Sequence, residues 1–203
     1  MANKKYEQRS NPLGFSKAHN RLVEISELNY EEHDGINCGC ECPGCGEPFL
    51  AVFPKKKANH FRHKKLKGQC EPYIPRTVLQ MAKEELSKMN EIALPAYVQS
   101  YRHIEYRVPE QVYHCQVSTR EDDKHFLLFE LSVFGPLALV FNVGHDYTYR
   151  AIEKLKKLAI PTIEVDLHPI VKALHKDISD FRSKVVAAMC SRDTVREWKL
   201  VPA

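Results

Sequence analysis

The run Cys38-Gly39-Cys40-Glu41-Cys42-Pro43-Gly44-Cys45-Gly46, answered by His60-Phe61-Arg62-His63 and then by Cys70, decides how this chain is read. Thiols and imidazoles are the ligands a zinc ion prefers, and a structural site needs four of them at one tetrahedral point. A C-P-x-C-G turn supplies two thiolates from one tight knuckle, its Pro and Gly fixing the backbone while the following amides point at the sulfurs. The second pair must arrive from a separate element, and His60, His63 and Cys70 are the candidates. In an extended segment His60 and His63 face opposite sides, because side chains alternate along a strand. Phe61 then shares a face with His63 and can anchor it to the core. The expected ligands of a structural Zn²⁺ are therefore Cys42, Cys45, His63 and Cys70, with His60, Cys40 and Cys38 as alternates. The competing reading, a chance cluster of free thiols, fits the spacing less well.

Outward from this run, composition sets bounds. At 203 residues the chain fits one compact domain with a small appendage, and its 43% hydrophobic content is that of an ordinary globular protein. No apolar run is long enough to cross a bilayer, and Met1-Ala2-Asn3-Lys4-Lys5 leads into polar residues rather than a signal core. The expectation is a cytosolic protein with no membrane partner. Seven cysteines is an odd number, and five of them fall between Cys38 and Cys70, which favours metal binding over disulfides. Cys115 and Cys190 stand apart and read as small buried hydrophobes.

The net charge of +4 is mild. Its distribution is more telling, since Lys55, Lys56 and Lys57 precede the histidine pair while Arg62, Lys64, Lys65 and Lys67 surround it. Such clusters bind phosphate backbones through counterion release, so Lys55, Lys56, Lys57, Arg62, Lys64 and Lys65 are candidate nucleic-acid contacts. A solvated lysine-rich loop is the plain alternative, and no interleaved aromatics add a stacking surface.

Four segments follow: residues 1–35 as N-terminal strands, 36–72 as the zinc-binding knuckle, 73–168 as an α/β core and 169–203 as a C-terminal helix. Leu22-Val23-Glu24-Ile25 and Leu28 read as a strand pair with Asn20 at its turn, and Phe49 to Phe53 reads as a strand within the knuckle. Pro72 and Pro75 punctuate the chain. Val78, Ala82, Leu86 and Met89 recur at helical spacing, predicting a helix from Thr77 to Asn90. Strands are then expected at Ala96 to Val98, His103 to Val108, Val112 to Val117 and His125 to Val133. The almost wholly apolar run Leu137 to Val143 predicts a buried central strand. Tyr149 to Leu158 reads as a helix, Ile163 to Val165 as a strand, and the tail from Asp177 through Trp198 as a terminal helix.

The stretch Gly35 to Pro48 with its four cysteines, then His60-Phe61-Arg62-His63, then Cys70, a helix and a strand-rich core, resembles the competence protein CoiA-like family of nucleases with a zinc-finger-like segment. The stretch Leu137 to His145, a helix holding Lys154, and Ile160-Pro161-Thr162-Ile163-Glu164-Val165-Asp166-Leu167 also resembles that family's strand, histidine and helix before an I-E-I-D-L type motif. The resemblance covers roughly residues 15–168. It implies a prokaryotic protein of DNA processing, uptake or defence, with a restriction-endonuclease-like core in which acidic residues hold Mg²⁺ beside a lysine. The metal would neutralise phosphate charge and lower the pKa of the attacking water.

The chain departs from that pattern. Where the family helix begins with an acid and a histidine this chain has Arg76 and Gln80, although Lys83 persists. Val140 or Phe141 stands where a glutamate is usual, and Phe126 to Phe129 offers no aspartate, Glu130 being the nearest acid. One expectation is thus a retained fold with a degenerate site that binds DNA or RNA. A second is a Mg²⁺-dependent endonuclease rebuilt from Glu130 with Asp146 or Glu164, together with His145 and Lys83. A third is a zinc-stabilised module that docks a protein partner. An arginine in place of an acid repels the cation such a site needs, which favours the first. No Gly-rich phosphate loop is present.

Overall fold

The computed structural model describes residues 11–65, 70, 73–101, 104–117, 126–133, 135–144, 147–191, 194 and 196–202. The chain divides into two compact units. The first runs to Met81 and adds Ala173–Arg182, and the second holds Ala82–Lys172 and the chain from Ser183 on. The secondary structure is mixed α and β, and among the described residues no helix is long and apolar enough to cross a membrane.

The first unit opens with a hairpin of β1 (Leu13–Ser16) and β2 (Arg21–Glu24), paired Leu13 with Glu24 and Ser16 with Arg21. Asn20 closes the turn at φ 48°, a left-handed conformation that asparagine tolerates. Leu28 lies outside the pair. It follows a single 3₁₀ turn, Ile25–Glu27, whose Glu24 and Glu27 side chains cap one another's backbone. Asn29 then caps the one-turn helix α1 (Tyr30–His33) by accepting from the Glu32 amide. Strand β3 (Cys40–Glu41) joins β1 to give the sheet order β2-β1-β3. A second hairpin, β4 (Phe49–Val52) with β5 (His60–His63), pairs Phe49 with His63 and Ala51 with Phe61.

Helix α2 (Tyr73–Leu86) starts four residues before the expected Thr77 and stops before Asn90. Pro75, read as a break, is the third residue of the helix. The first turn has no internal use for its amides, so a proline there costs no hydrogen bond. At the other end Met89 is 45% exposed rather than part of the apolar stripe.

The second unit is built on a six-stranded sheet. Its strands are β6 (Glu91–Leu94), β9 (Gln111–Val117), β10 (Phe126–Leu131), β11 (Gly135–Asn142), β12 (Thr162–Asp166) and β13 (Arg196–Leu200), in the order β13-β12-β11-β10-β9-β6. Between β6 and β9 lies a separate hairpin of β7 (Tyr97–Tyr101) and β8 (Ile104–Val108). Only β11 and β12 run parallel, Val140 beside Glu164, and helix α3 (Tyr147–Lys157) makes the crossover that a parallel pair requires. All the other ladders in this sheet are antiparallel.

Leu137 to Phe141 are buried on both faces of β11, as their unbroken apolar run predicts. On one face Ala138, Val140 and Phe126 pack against Ala151, Ile152 and Leu155 of α3. Burying each such large apolar side chain contributes about 1.5–3 kcal/mol. Where one terminal helix was expected from Asp177 through Trp198, the chain forms α4 (His168–Lys176), α5 (Phe181–Cys190) and then the strand β13. Trp198 lies on that strand. Its indole donates to the Pro95 carbonyl at 2.7 Å and its ring meets Tyr97 at 5.1 Å, contacts more than a hundred residues apart that no local periodicity records.

Candidate metal centre

Three elements of the first unit bring ligand atoms to one point. The knuckle between β3 and β4 is closed by the Cys42 amide donating to the Glu47 carbonyl and the Gly46 amide to the Cys42 carbonyl, both at 2.9 Å. This folds Cys42 inward, almost fully buried, while Cys45 remains exposed. Strand β5 supplies His63, opposite Phe49, whose ring stands edge-on to the imidazole at 4.9 Å. Phe61, on the same strand face, is fully buried and stacks on Phe49. Cys70 completes the set just ahead of α2.

The four ligand atoms of Cys42, Cys45, His63 and Cys70 all lie within 4.8 Å of one another. Cys42 Sγ is 3.2 Å from Cys70 Sγ, and Cys45 Sγ is 3.3 Å from His63 Nε2. A tetrahedron with zinc–sulfur bonds near 2.3 Å has edges of about 3.7 Å, so the cluster has the dimensions of a zinc site. Three thiolates and one imidazole form a donor set suited to zinc and leave no open position for substrate. Burial lowers the His63 pKa, favouring the neutral, ligating form. The hydrogen bond to Cys70 and burial push the Cys42 thiol up, and burial does the same to Cys45. A bound divalent cation reverses that effect by stabilising thiolates.

Two residues that the sequence reading passed over make this convergence possible. Gly44 sits where an added Cβ would lie 2.8 Å from Tyr73 Cα and 3.1 Å from Cys70 Sγ, so only glycine lets the knuckle meet the start of α2. Tyr73 is buried and holds β1 through both main-chain groups of Leu13. Its hydroxyl donates to the Leu13 carbonyl at 2.9 Å and accepts from the Leu13 amide at 3.2 Å. The Gly in C-P-G-C was a visible signal of close approach, whereas nothing local marks Tyr73 as an anchor.

The alternates stand elsewhere. His60 lies on the opposite face of β5 from His63, with Nδ1 3.0 Å from the Ala58 carbonyl. Cys40 donates to the Cys38 carbonyl at 3.2 Å and Cys38 to the Phe49 carbonyl at 3.6 Å, both thiols outside the four-ligand group. The interaction with Cys40 brings the Cys38 thiol down to about 6, while the interaction with Cys38 and burial push Cys40 up. Cys115 is buried, as expected, and the Cys190 side chain lies outside the described residues.

The candidate cations Lys55, Lys56 and Lys57 occupy the turn between β4 and β5. Arg62 projects from the face of β5 opposite Phe61, and Lys64 and Lys65 follow directly. All six are exposed, whereas Lys67 lies outside the described residues.

The candidate catalytic residues are less convergent. Lys83 is half-buried on α2, as are Arg76 and Gln80. Glu130 is exposed beside Pro136 at the start of β11, whereas Glu164 lies beside Val140 four residues further along that strand. At about 3.3 Å per residue that offset alone is about 13 Å, too far for one ion. His145 and Asp146 lie outside the described residues. Glu164 borders an open cavity of about 490 Å³ with Asn142, Glu153, Lys156 and Lys199. Its carboxylate is paired with Lys199 at 3.1 Å, and Lys199 also binds Glu197 at 2.6 Å, the two acids raising the lysine pKa. Among the described residues, Cys42, Cys45, His63 and Cys70 are the one group of three or more side chains placed to share a metal ion. No family model matches this chain, and neither a curated protein nor a solved structure does so.

Proposed function

We propose that this chain is a zinc-stabilised nucleic-acid-binding protein of CoiA-like descent whose nuclease site is degenerate. The observation that carries the reading is the shared address of two features. The hairpin β4–β5 presents His63 to the ligand cluster, and its turn, its outer face and its exit carry six exposed cations. Among the described residues no carboxylate is paired with any of the six. A metal-braced hairpin would hold these charges at fixed spacing against a phosphate backbone, and each contact would release counterions. The chain order α2, then strands β6 to β11, then α3 and β12 supports the restriction-endonuclease-like expectation, because it is the helix, several strands, helix, strand order which the resemblance implies. Degeneracy is supported by Arg76, Gln80 and Val140 or Phe141 at acid or histidine positions, and by the separation of Glu130 from Glu164.

The test is fluorescence anisotropy with labelled single- and double-stranded DNA and RNA over a range of salt concentrations, on zinc-loaded protein. Each lost phosphate contact flattens the salt slope by about 0.9. Replacing Lys55, Lys56 and Lys57 together with Ala should therefore flatten it by about 2–3 and weaken binding similarly on all sequences. No binding at low salt would sink the nucleic-acid reading. Cleavage of the same oligonucleotides in Mg²⁺ or Mn²⁺ would replace the degenerate site with an active one.

A further inference from the structure

We infer that Tyr30 and Phe53 form an aromatic platform for an unpaired base, belonging to a single strand whose phosphates the cationic hairpin holds. The inference rests on the nucleic-acid reading above and adds a base contact to its phosphate contacts. Tyr30 opens α1, and Phe53 directly follows β4. Their ring centroids lie 6.1 Å apart at an interplanar angle of 89°. In such a T-shaped pair one ring offers its edge and the other a face. Whichever part Tyr30 plays, at least one of its faces is left free by Phe53. Tyr30 is 61% exposed, while Phe53 beside it is half-buried. A ring braced by a neighbour yet open to water is the surface on which a base stacks.

The fold, rather than the local sequence, brings this ring to the lysines. Gly35 and Ala51 exchange two backbone hydrogen bonds of 3.0 and 2.9 Å, which pin the segment after α1 along β4. Asn29 fixes the start of α1 by accepting from the Glu32 amide at 2.9 Å. Lys55, Lys56 and Lys57 begin two residues beyond Phe53, and all three are exposed. At no more than about 3.6 Å per residue, their Cα atoms lie within about 15 Å of that of Phe53. Charge then sets how a strand lies. Glu31, Glu32 and Asp34 are exposed around Tyr30 on the α1 side. Phosphates are drawn toward the lysine turn and away from these acids, which leaves the base over the tyrosine. A duplex gains nothing from the ring, because its internal bases are already stacked on both faces by their neighbours.

Fluorescence anisotropy on zinc-loaded full-length protein tests this with three probes of equal length: oligothymidylate, an abasic strand with the same phosphates, and a duplex. Stacking one base on one ring is worth about 5- to 150-fold in affinity, so oligothymidylate should bind more tightly than the abasic strand by that factor. Tyr30→Ala should remove most of the advantage and leave the salt slope, the abasic affinity and the duplex affinity unchanged. Tyr30→Phe should keep the advantage. Tyr30→Leu, which still packs on Phe53 but has no π face, should lose it. Equal affinity of the wild type for oligothymidylate and the abasic strand overturns the platform and leaves phosphate binding standing. An equal loss on all three probes in Tyr30→Ala overturns it too. Absence of binding to every probe removes the nucleic-acid reading and the platform together. The wild-type comparison uses no variant, so it holds whether or not the substituted chains fold.

Discussion

The β4–β5 hairpin with its knuckle and the sheet around β11 are held together by different physics. In the sheet, every central residue from Leu137 to Phe141 is buried, and Leu155 of α3 is inaccessible to solvent. The driving force there is apolar area removed from water, spread over many side chains. The hairpin has four residues per strand, and its apolar content inside the ladder is chiefly Phe49, Ala51 and Phe61. A lone two-stranded hairpin is marginal in water. What this one has in addition is His63, through which a metal ion held by the cluster would tie β5 to a knuckle some twenty residues upstream and to Cys70 at the head of α2. On the proposed reading, one region is cohesive without a cofactor, whereas a bound metal would concentrate the cohesion of the other at a single point.

Removing that point should separate the two most sharply. Structural zinc contributes on the order of 10–16 kcal/mol in small zinc-binding peptides, an energy delivered only to the folded form. Cys42→Ser removes the buried ligand and should cost well over the roughly 100-fold in zinc affinity associated with losing an outer partner. Hydrogen exchange is expected to show β4, β5 and the knuckle losing protection, with β10, β11 and β12 unchanged. Equal loss in both regions would dissolve the distinction.

The reciprocal change is Leu155→Ala. It opens a cavity against Ala138 and Val140 and should destabilise by about 2–5 kcal/mol. Zinc stoichiometry, read by a chromophoric chelator, should stay unchanged. A fall in bound zinc would mean that the sheet, rather than the metal, sets the geometry of the ligands.

The same contrast explains what could be read without coordinates. The sheet's central strand was legible because Leu137 to Val143 is apolar but for Asn142, and α3 because Ile152, Leu155 and Leu158 recur at helical spacing. The four clustered side chains were legible because metal chemistry restricts residue type and spacing together. Pro75 misled because its effect depends on position in the helix and not on its presence. Trp198 misled because a helical stripe was extended through it, whereas its partners, Pro95 and Tyr97, belong to a remote part of the chain. Glu130 and Glu164 could be proposed as partners only while their register on β11 was unknown.

Tyr73 gives the finest test, because it belongs to the metal-centred region yet acts without the metal. Tyr73→Phe keeps the ring and removes a hydroxyl that serves both main-chain groups of Leu13. Leaving a buried amide and carbonyl without that partner should cost about 1–3 kcal/mol. The pH dependence identifies the hydroxyl. Burial raises the Tyr73 pKa above its ordinary value near 10. Above about pH 10 the unfolded chain releases that proton while the folded chain retains it, so the unfolded state then binds fewer protons and stability falls as pH rises. Below pH 10 both states are protonated and the group contributes no slope. Denaturation midpoints of the zinc-loaded protein at pH 8 and pH 10.5 should therefore diverge in the wild type and draw together in Tyr73→Phe. If the two proteins keep the same alkaline slope, β1 is held by the strand ladder and the metal cluster alone, and the hydroxyl is a bystander.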